Sequence, residues 1–134
     1  MERGKALSTP LPPYVKLCLN DGPKSDAEKV EMAKVPYSSA VGSLMYAMIC
    51  TRPDIAYAVG VVSRRYMSNP GKKHWEAVKG VMRYLNGTKE LCTCFGKKEA
   101  CVLGYTDADY VGDMDKRRST SGYVFIFTRG VVSW

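Results

Sequence analysis

Four aspartates, Asp107, Asp109, Asp113 and Asp115, fall within nine residues of GYTDADYVGDMDKRRSTSGYVF (104–125), directly ahead of Lys116, Arg117 and Arg118. Carboxylates two residues apart at the end of a strand share a face and can converge on a divalent cation, whose charge offsets the repulsion among the acids. A calcium loop is one such arrangement, and D-x-D-x-x-G from Asp107 to Gly112 matches its beginning. Val111 at the fifth position, and Arg118 at the twelfth where a bidentate glutamate is required, count against it. A second arrangement is a magnesium- or manganese-dependent phosphodiester site, in which metal ions held by carboxylates from separate elements clamp the attacking and leaving oxygens. The plainest is a polar turn, Asp113-Met114-Asp115-Lys116, whose acids pair with the cations that follow.

The charge balance adds a lean toward phosphate. Lys and Arg outnumber Asp and Glu by 20 to 13, a net charge of +7 that favours polyanions and also suits a protein that merely stays in solution. Lys72, Glu76, Lys79 and Arg83 share the side of a helix opposite Trp75, Val78, Met82 and Leu85, either as a solvated surface or as a phosphate track under an RNA/DNA hybrid. Arg64-Arg65 and Lys116-Arg117-Arg118 are further phosphate candidates, and such contacts read backbone charge and shape rather than base edges. Trp75, Tyr123, Phe125 and Phe127 read as core rather than base-stacking platforms. So do Met45, Met48 and Met82, as core filler.

Five cysteines without a secretory signal read as reduced, buried thiols of an intracellular protein, cytoplasmic or nuclear. Cys92-Thr93-Cys94 is C-x-C rather than C-x-x-C, and the single His74 sits far from it, so zinc is not expected. His74 itself reads as a polar residue at a helix start. No apolar run reaches the roughly 18–20 residues that cross a bilayer, so no transmembrane segment or membrane partner is expected.

The elements that must position these groups follow from punctuation and period. Residues 1–24 carry Pro10, Pro12, Pro13 and Pro23, which predicts an extended arm without a core of its own. Ser25-Asp26-Ala27-Glu28 has capping-box spacing and opens a short helix that Pro36 ends. Val41, Leu44, Met45 and Met48 then recur at helical spacing over residues 37–50, Pro53 opens a helix with the face Ile55, Val59, Val62 and Tyr66, and Ser68-Asn69-Pro70-Gly71 separates it from the Trp75 helix ending at Asn86-Gly87. Beyond Gly87 the pattern predicts strands at Leu91–Phe95, Cys101–Asp107, Gly122–Phe127 and from Val131, joined by Gly96-Lys97-Lys98-Glu99 and by a short loop, Thr128-Arg129-Gly130. About four helices followed by an antiparallel meander predict an α+β fold, divided into an arm (1–24), a helical region (25–90) and a strand region (91–134) whose sheet stops at Trp134 in mid-strand.

Three segments together resemble one family. PYSSAVGSLMYAMICTRPDIAYAVGVVSR (36–64), HWEAVKGVMRYLNGT (74–88) and GYTDADYVGDMDKRRSTSGYVF (104–125), in this order and spacing, look like the Pol polyprotein of copia-type LTR retrotransposons, a resemblance that spans roughly residues 5 to 134. It implies that 25–90 is the end of the reverse transcriptase with its connection, and that 91–134 is the incomplete start of an RNase H-like domain. It also implies that Asp107 matches the first metal-binding carboxylate of RNase H, with Asp109 beside it, and that Mg²⁺ or Mn²⁺ is the cofactor. The family's polymerase motif, Y-x-D-D, occurs nowhere in these 134 residues. The later RNase H carboxylates, which in the family lie beyond the strand that begins at Val131, are not among them either.

The expectation is therefore a Pol fragment, catalytically silent alone, that binds nucleic acid without sequence preference through Lys72, Lys79, Arg83, Lys116, Arg117 and Arg118. One alternative is metal-dependent hydrolysis of an RNA/DNA hybrid in a site that another chain completes. The other is an inert remnant that self-associates through its truncated sheet.

Overall fold

Ser25 starts the first helix through the reciprocal bonds its spacing predicts. Its Oγ accepts from the Glu28 amide at 3.2 Å, while the Glu28 carboxylate accepts from the Ser25 and Lys24 amides, and helix α1 runs Asp26–Ala33. The computed structural model describes residues 7–96, 100–108, 110 and 117–134. Helix α2 (Tyr37–Cys50) follows Pro36. A single 3₁₀ turn at Pro53–Ile55 leads into α3 (Ala56–Ser63), and α4 (Lys72–Gly87) follows Gly71. The chain divides into two compact units, Met1–Glu90 and Leu91–Trp134.

In the first unit Val41, Ile55, Val59, Val62, Val78 and Val81 are buried where α2, α3 and α4 meet. Each such side chain contributes about 1.5–3 kcal/mol by leaving water. The expected face Ile55, Val59, Val62 and Tyr66 is buried in full. Two hydroxyls satisfy interior carbonyls: Tyr37 Oη donates to Val62 O at 2.7 Å and Tyr66 Oη to Leu17 O at 3.0 Å. Burial pushes the Tyr37 phenol well above the usual tyrosine range, because its anion would have to lie in that apolar interior.

Several expected placements are corrected. On α2 the buried positions are Tyr37, Ala40, Val41 and Leu44, while Met45 is 40% exposed and joins Gly42, Tyr46 and Ile49 on a second, outward apolar stripe. The stripe of α4 is turned by one residue: His74, Ala77, Val78, Val81 and Tyr84 point inward, and Trp75, Met82 and Leu85 flank them. The arm is not without a core, since Leu17 is buried and Leu7, Leu11 and Val15 pack against the helical interior.

The second unit is a three-stranded antiparallel sheet in the order β1 (Val102–Ala108), β2 (Ser121–Phe127), β3 (Gly130–Ser133). Residues 91–96 form no strand. Among the described residues one backbone hydrogen bond, from the Gly96 amide to Thr128 O at 2.6 Å, joins them to the sheet, and a strand requires a ladder of such pairs. The β2–β3 turn consists of Thr128 and Arg129, with φ of 45° and 73°, while Gly130 already pairs with Phe127. Both central residues are left-handed, as a type I′ turn demands, although neither is the glycine or asparagine that usually fills it. Phe125 lies across Gly104, where a Cβ would come within 2.8 Å of its ring.

The sheet aromatics are not a core among the described residues: Tyr123 and Phe125 are exposed, at ring centroids 5.7 Å apart, and Phe127 is 38% exposed. The buried-thiol expectation is also corrected. Cys50, Cys92, Cys94 and Cys101 are exposed and Cys18 is half-buried. Among the described residues the fold is thus α+β, with four α-helices ahead of one antiparallel sheet, and no helix is long and apolar enough to cross a membrane.

Candidate carboxylate site and basic surface

Strand alternation decides where Asp107 sits. It is the sixth residue of β1, on the same face as Leu103 and Tyr105, and it pairs across the sheet with Gly122. A Cβ at Gly122 would meet nothing within 4 Å among the described residues. Asp107 is exposed, and its Oδ1 accepts from the adjacent Ala108 amide at 2.8 Å. Asp109, Asp113, Asp115 and Lys116 lie outside the described residues. Arg117 and Arg118 precede β2, both exposed, Arg117 in the left-handed region at φ 51°.

A two-metal site needs three or four carboxylates from separate elements. Among the described residues no group of three or more His, Cys, Asp or Glu stands close enough to hold a metal ion. Asp107 alone supplies a carboxylate here among the described residues, and Mg²⁺ or Mn²⁺ would require further oxygen ligands. Among the described residues the site offers one exposed carboxylate that can accept hydrogen bonds.

The cations of α4 are drawn into ion pairs. Lys72 Nζ is 2.9 Å from Glu31, Lys73 pairs with Asp21, and Lys79 pairs with Glu76 one turn earlier on the same helix. Such exposed pairs contribute little to stability, because solvent and salt screen them. Arg83 lies deeper. It lines a groove of about 520 Å³ between the arm and α4, alongside Leu11, Val15, Lys16, Ala77 and Gly80, and its Nε is buried without a hydrogen-bond partner among the described residues. The expected basic face is therefore partly covered by the arm, leaving Lys72, Lys73 and Glu76 exposed at its rim.

Two constellations escaped the sequence reading. His74, expected to be an unremarkable polar residue, is fully buried: its Nδ1 accepts from the Gly71 amide at 2.9 Å, its Nε2 therefore carries the proton toward Cys18 O at 3.1 Å, and its ring stacks on Tyr66 with centroids 4.0 Å apart. It fastens the arm to the start of α4. Arg52, in the break between α2 and α3, grips Asp54 with Nε and Nη2 at 2.9 and 2.7 Å and reaches Thr88 Oγ1 at 2.7 Å, while Tyr84 Oη donates to Asp54 at 2.8 Å. The Arg52 hydrogen bonds hold the Asp54 carboxyl below the usual carboxylate range despite partial burial, and the Lys73 hydrogen bond does the same for Asp21. The Gly71 turn and the Thr51-Arg52-Pro53-Asp54 break were the visible signals, but nothing local indicated the distant partners Cys18 and Thr88.

The chain is 59% identical over 134 residues to the retrovirus-related Pol polyprotein from transposon TNT 1-94 of Nicotiana tabacum, covering all of this chain and 10% of that protein. It is 38% identical over 135 residues to the retrovirus-related Pol polyprotein from transposon RE2 of Arabidopsis thaliana, again all of this chain and 9% of that one. It is also 51% identical over 104 residues to secreted RxLR effector protein 161 of Plasmopara viticola, covering 77% of this chain and 72% of that protein. The chain thus spans about a tenth of the length of the two Pol polyproteins. No family model matches it. No solved structure matches it.

Proposed function

Because the chain belongs to the copia-type, retrovirus-related Pol polyproteins of transposons, we propose that it corresponds to the junction of reverse transcriptase and RNase H, binds nucleic acid without sequence preference, and catalyses nothing by itself. The likeness along all 134 residues to the tobacco Pol polyprotein carries this reading. In it, residues 25–90 are the reverse transcriptase end with its connection and 91–134 the first strands of an RNase H-like sheet, with Asp107 as the carboxylate that opens the site.

The binding half rests on charge. A net +7, with Arg117, Arg118 and the α4 rim exposed, suits a phosphate backbone. The silent half rests on ligand count: Y-x-D-D is absent from these residues, and among the described residues Asp107 has no companion carboxylates of the kind that two-metal hydrolysis uses jointly. The experiment is incubation of a labelled RNA/DNA hybrid with the purified chain in magnesium and then manganese, beside Asp107→Asn. Equal silence of both proteins is expected. Cleavage that the substitution abolishes would instead establish the enzyme reading, in which carboxylates outside the described residues or from a second chain complete the site.

A second reading is favoured by one observation. The chain covers 72% of the effector it resembles, so a segment of this kind also occurs as a short protein, where an unpartnered sheet would serve self-association rather than nucleic acid. Sedimentation at rising concentration distinguishes it: the binding reading expects a monomer, and concentration-dependent dimers that lose hybrid affinity support the other.

A further inference from the structure

Cys92 and Cys94 place two thiols side by side outside the carboxylate site. Their Sγ atoms stand 3.6 Å apart, both residues are exposed, and neither belongs to a helix or strand. Residues two apart in extended backbone project to the same side, which brings the two sulfurs over Thr93. Among the described residues the one backbone hydrogen bond from this stretch to the sheet is Gly96 N–H to Thr128 O, beyond residues 92–94, so the backbone at 92–94 can adjust by the ångström or two that separates contact from a bond. The side-chain hydrogen bond that Cys92 shares with Cys94, and then the charge of that neighbouring sulfur, raise the Cys92 thiol above its ordinary range. Either sulfur can donate that hydrogen bond, and the raised Cys92 thiol is assigned as the resolving sulfur, with Cys94 as the first to attack.

The geometry points to Cys92-Thr93-Cys94 as a surface dithiol that undergoes exchange with low-molecular-weight disulfides of the glutathione class and closes reversibly into an internal disulfide. In the first step the Cys94 thiolate attacks one sulfur of the small disulfide, forming a mixed disulfide and expelling one thiolate. In the second, Cys92 loses its proton and attacks the Cys94 sulfur, expelling the second thiolate. The protein dithiol gives up two electrons, the small disulfide is reduced to two thiols, and the two protons end on the expelled groups. A ring this small is strained, which places it among the readily reduced, reversible disulfides rather than the structural ones. It would also stiffen the stretch leading to Phe95, whose ring lies against Gly130, so the state of the thiols bears on how that stretch meets the β2–β3 turn.

Lys89 and Lys97 flank the pair, so trypsin releases both cysteines in one peptide that contains no other. The test incubates the full chain with oxidised glutathione, blocks free thiols and maps the peptides by mass, for the wild type, Cys92→Ser and Cys50→Ser. The wild-type and Cys50→Ser peptides are expected to lose two hydrogens and carry little glutathione. Cys92→Ser, lacking the resolving thiol, is expected to retain about tenfold more glutathione on Cys94 than the wild type. A dithiol reductant should return the wild-type peptide to two free thiols. Equal glutathione adducts in wild type and Cys92→Ser, or a disulfide that joins Cys92 or Cys94 to Cys101, would overturn the proposal.

Discussion

Replacing His74 by phenylalanine isolates the two bonds that hold the arm to α4. Phenylalanine preserves the ring that stacks on Tyr66 and most of the buried volume, but it can neither accept from the Gly71 amide nor donate to Cys18 O. Gly71 is buried, so its amide is left without a partner or water at a cost of about 1–3 kcal/mol. Cys18 O is only partly buried and can recover a water, which puts its loss nearer about 0.5–1.5 kcal/mol. The sum, about 1.5–4.5 kcal/mol, is a large share of the roughly 5–15 kcal/mol that holds a domain together. With a urea slope of about 1–2 kcal/mol per molar, the midpoint for loss of helical circular dichroism should fall by about 2 M at unchanged slope. Trypsin cleavage after Lys16 should accelerate in parallel, because the arm is the first segment released. A midpoint shift worth less than about 0.5 kcal/mol, the scale of an ordinary surface substitution, would refute the claim that His74 is a clamp.

Further outcomes follow from the same structure. Asp54 and Asp21 have folded-state carboxyls below their unfolded values, so their contribution is fully present above about pH 4 and is lost as pH falls through the lowered folded values. Urea midpoints taken between neutrality and strong acid should drop at the acid end, and Asp54→Asn should flatten that drop while lowering the neutral midpoint. Thr128→Asn and Arg129→Gly, which suit the φ of 45° and 73° found there, should each stabilise the β-hairpin by about 0.5–1 kcal/mol, read from slower hydrogen exchange of the β2 and β3 amides. Gly71→Ala would place a Cβ 1.8 Å from Asp21 O, a backbone clash, and should release the arm and raise cleavage at Lys16 as His74→Phe does.

Local rules read well where the signal was local. Ser25 with Glu28, Pro36 before α2 and Pro53 before α3 each act on backbone groups within one turn, and all three mark the element starts that the structure shows. Reading failed where a distant partner decides. The α4 stripe is turned because His74 finds two backbone partners inside, one of them 56 residues away, which no hydropathy pattern contains. Leu91–Phe95 has strand composition but no strand to pair with, and β propensity without a ladder does not make a strand. Met45 looked interior because helical spacing finds a stripe, yet α2 carries two such stripes and only packing chooses between them. Asp107 was legible as a strand residue, since alternation and the register with Gly122 place it. Whether it has companions depends on Asp109 and residues outside the described set.

The most direct test of the central claim is the salt dependence of binding to a labelled RNA/DNA hybrid, measured by anisotropy for the wild type and for a variant with Lys72, Lys79, Arg83, Lys116, Arg117 and Arg118 changed to alanine. The account predicts a linear fall of log affinity with log salt, a slope of about −0.7 to −0.9 per phosphate contact, similar affinity for hybrids of unrelated sequence, and a shallower slope in the variant. Affinity that ignores salt, or a variant that binds with the wild-type slope, would contradict it.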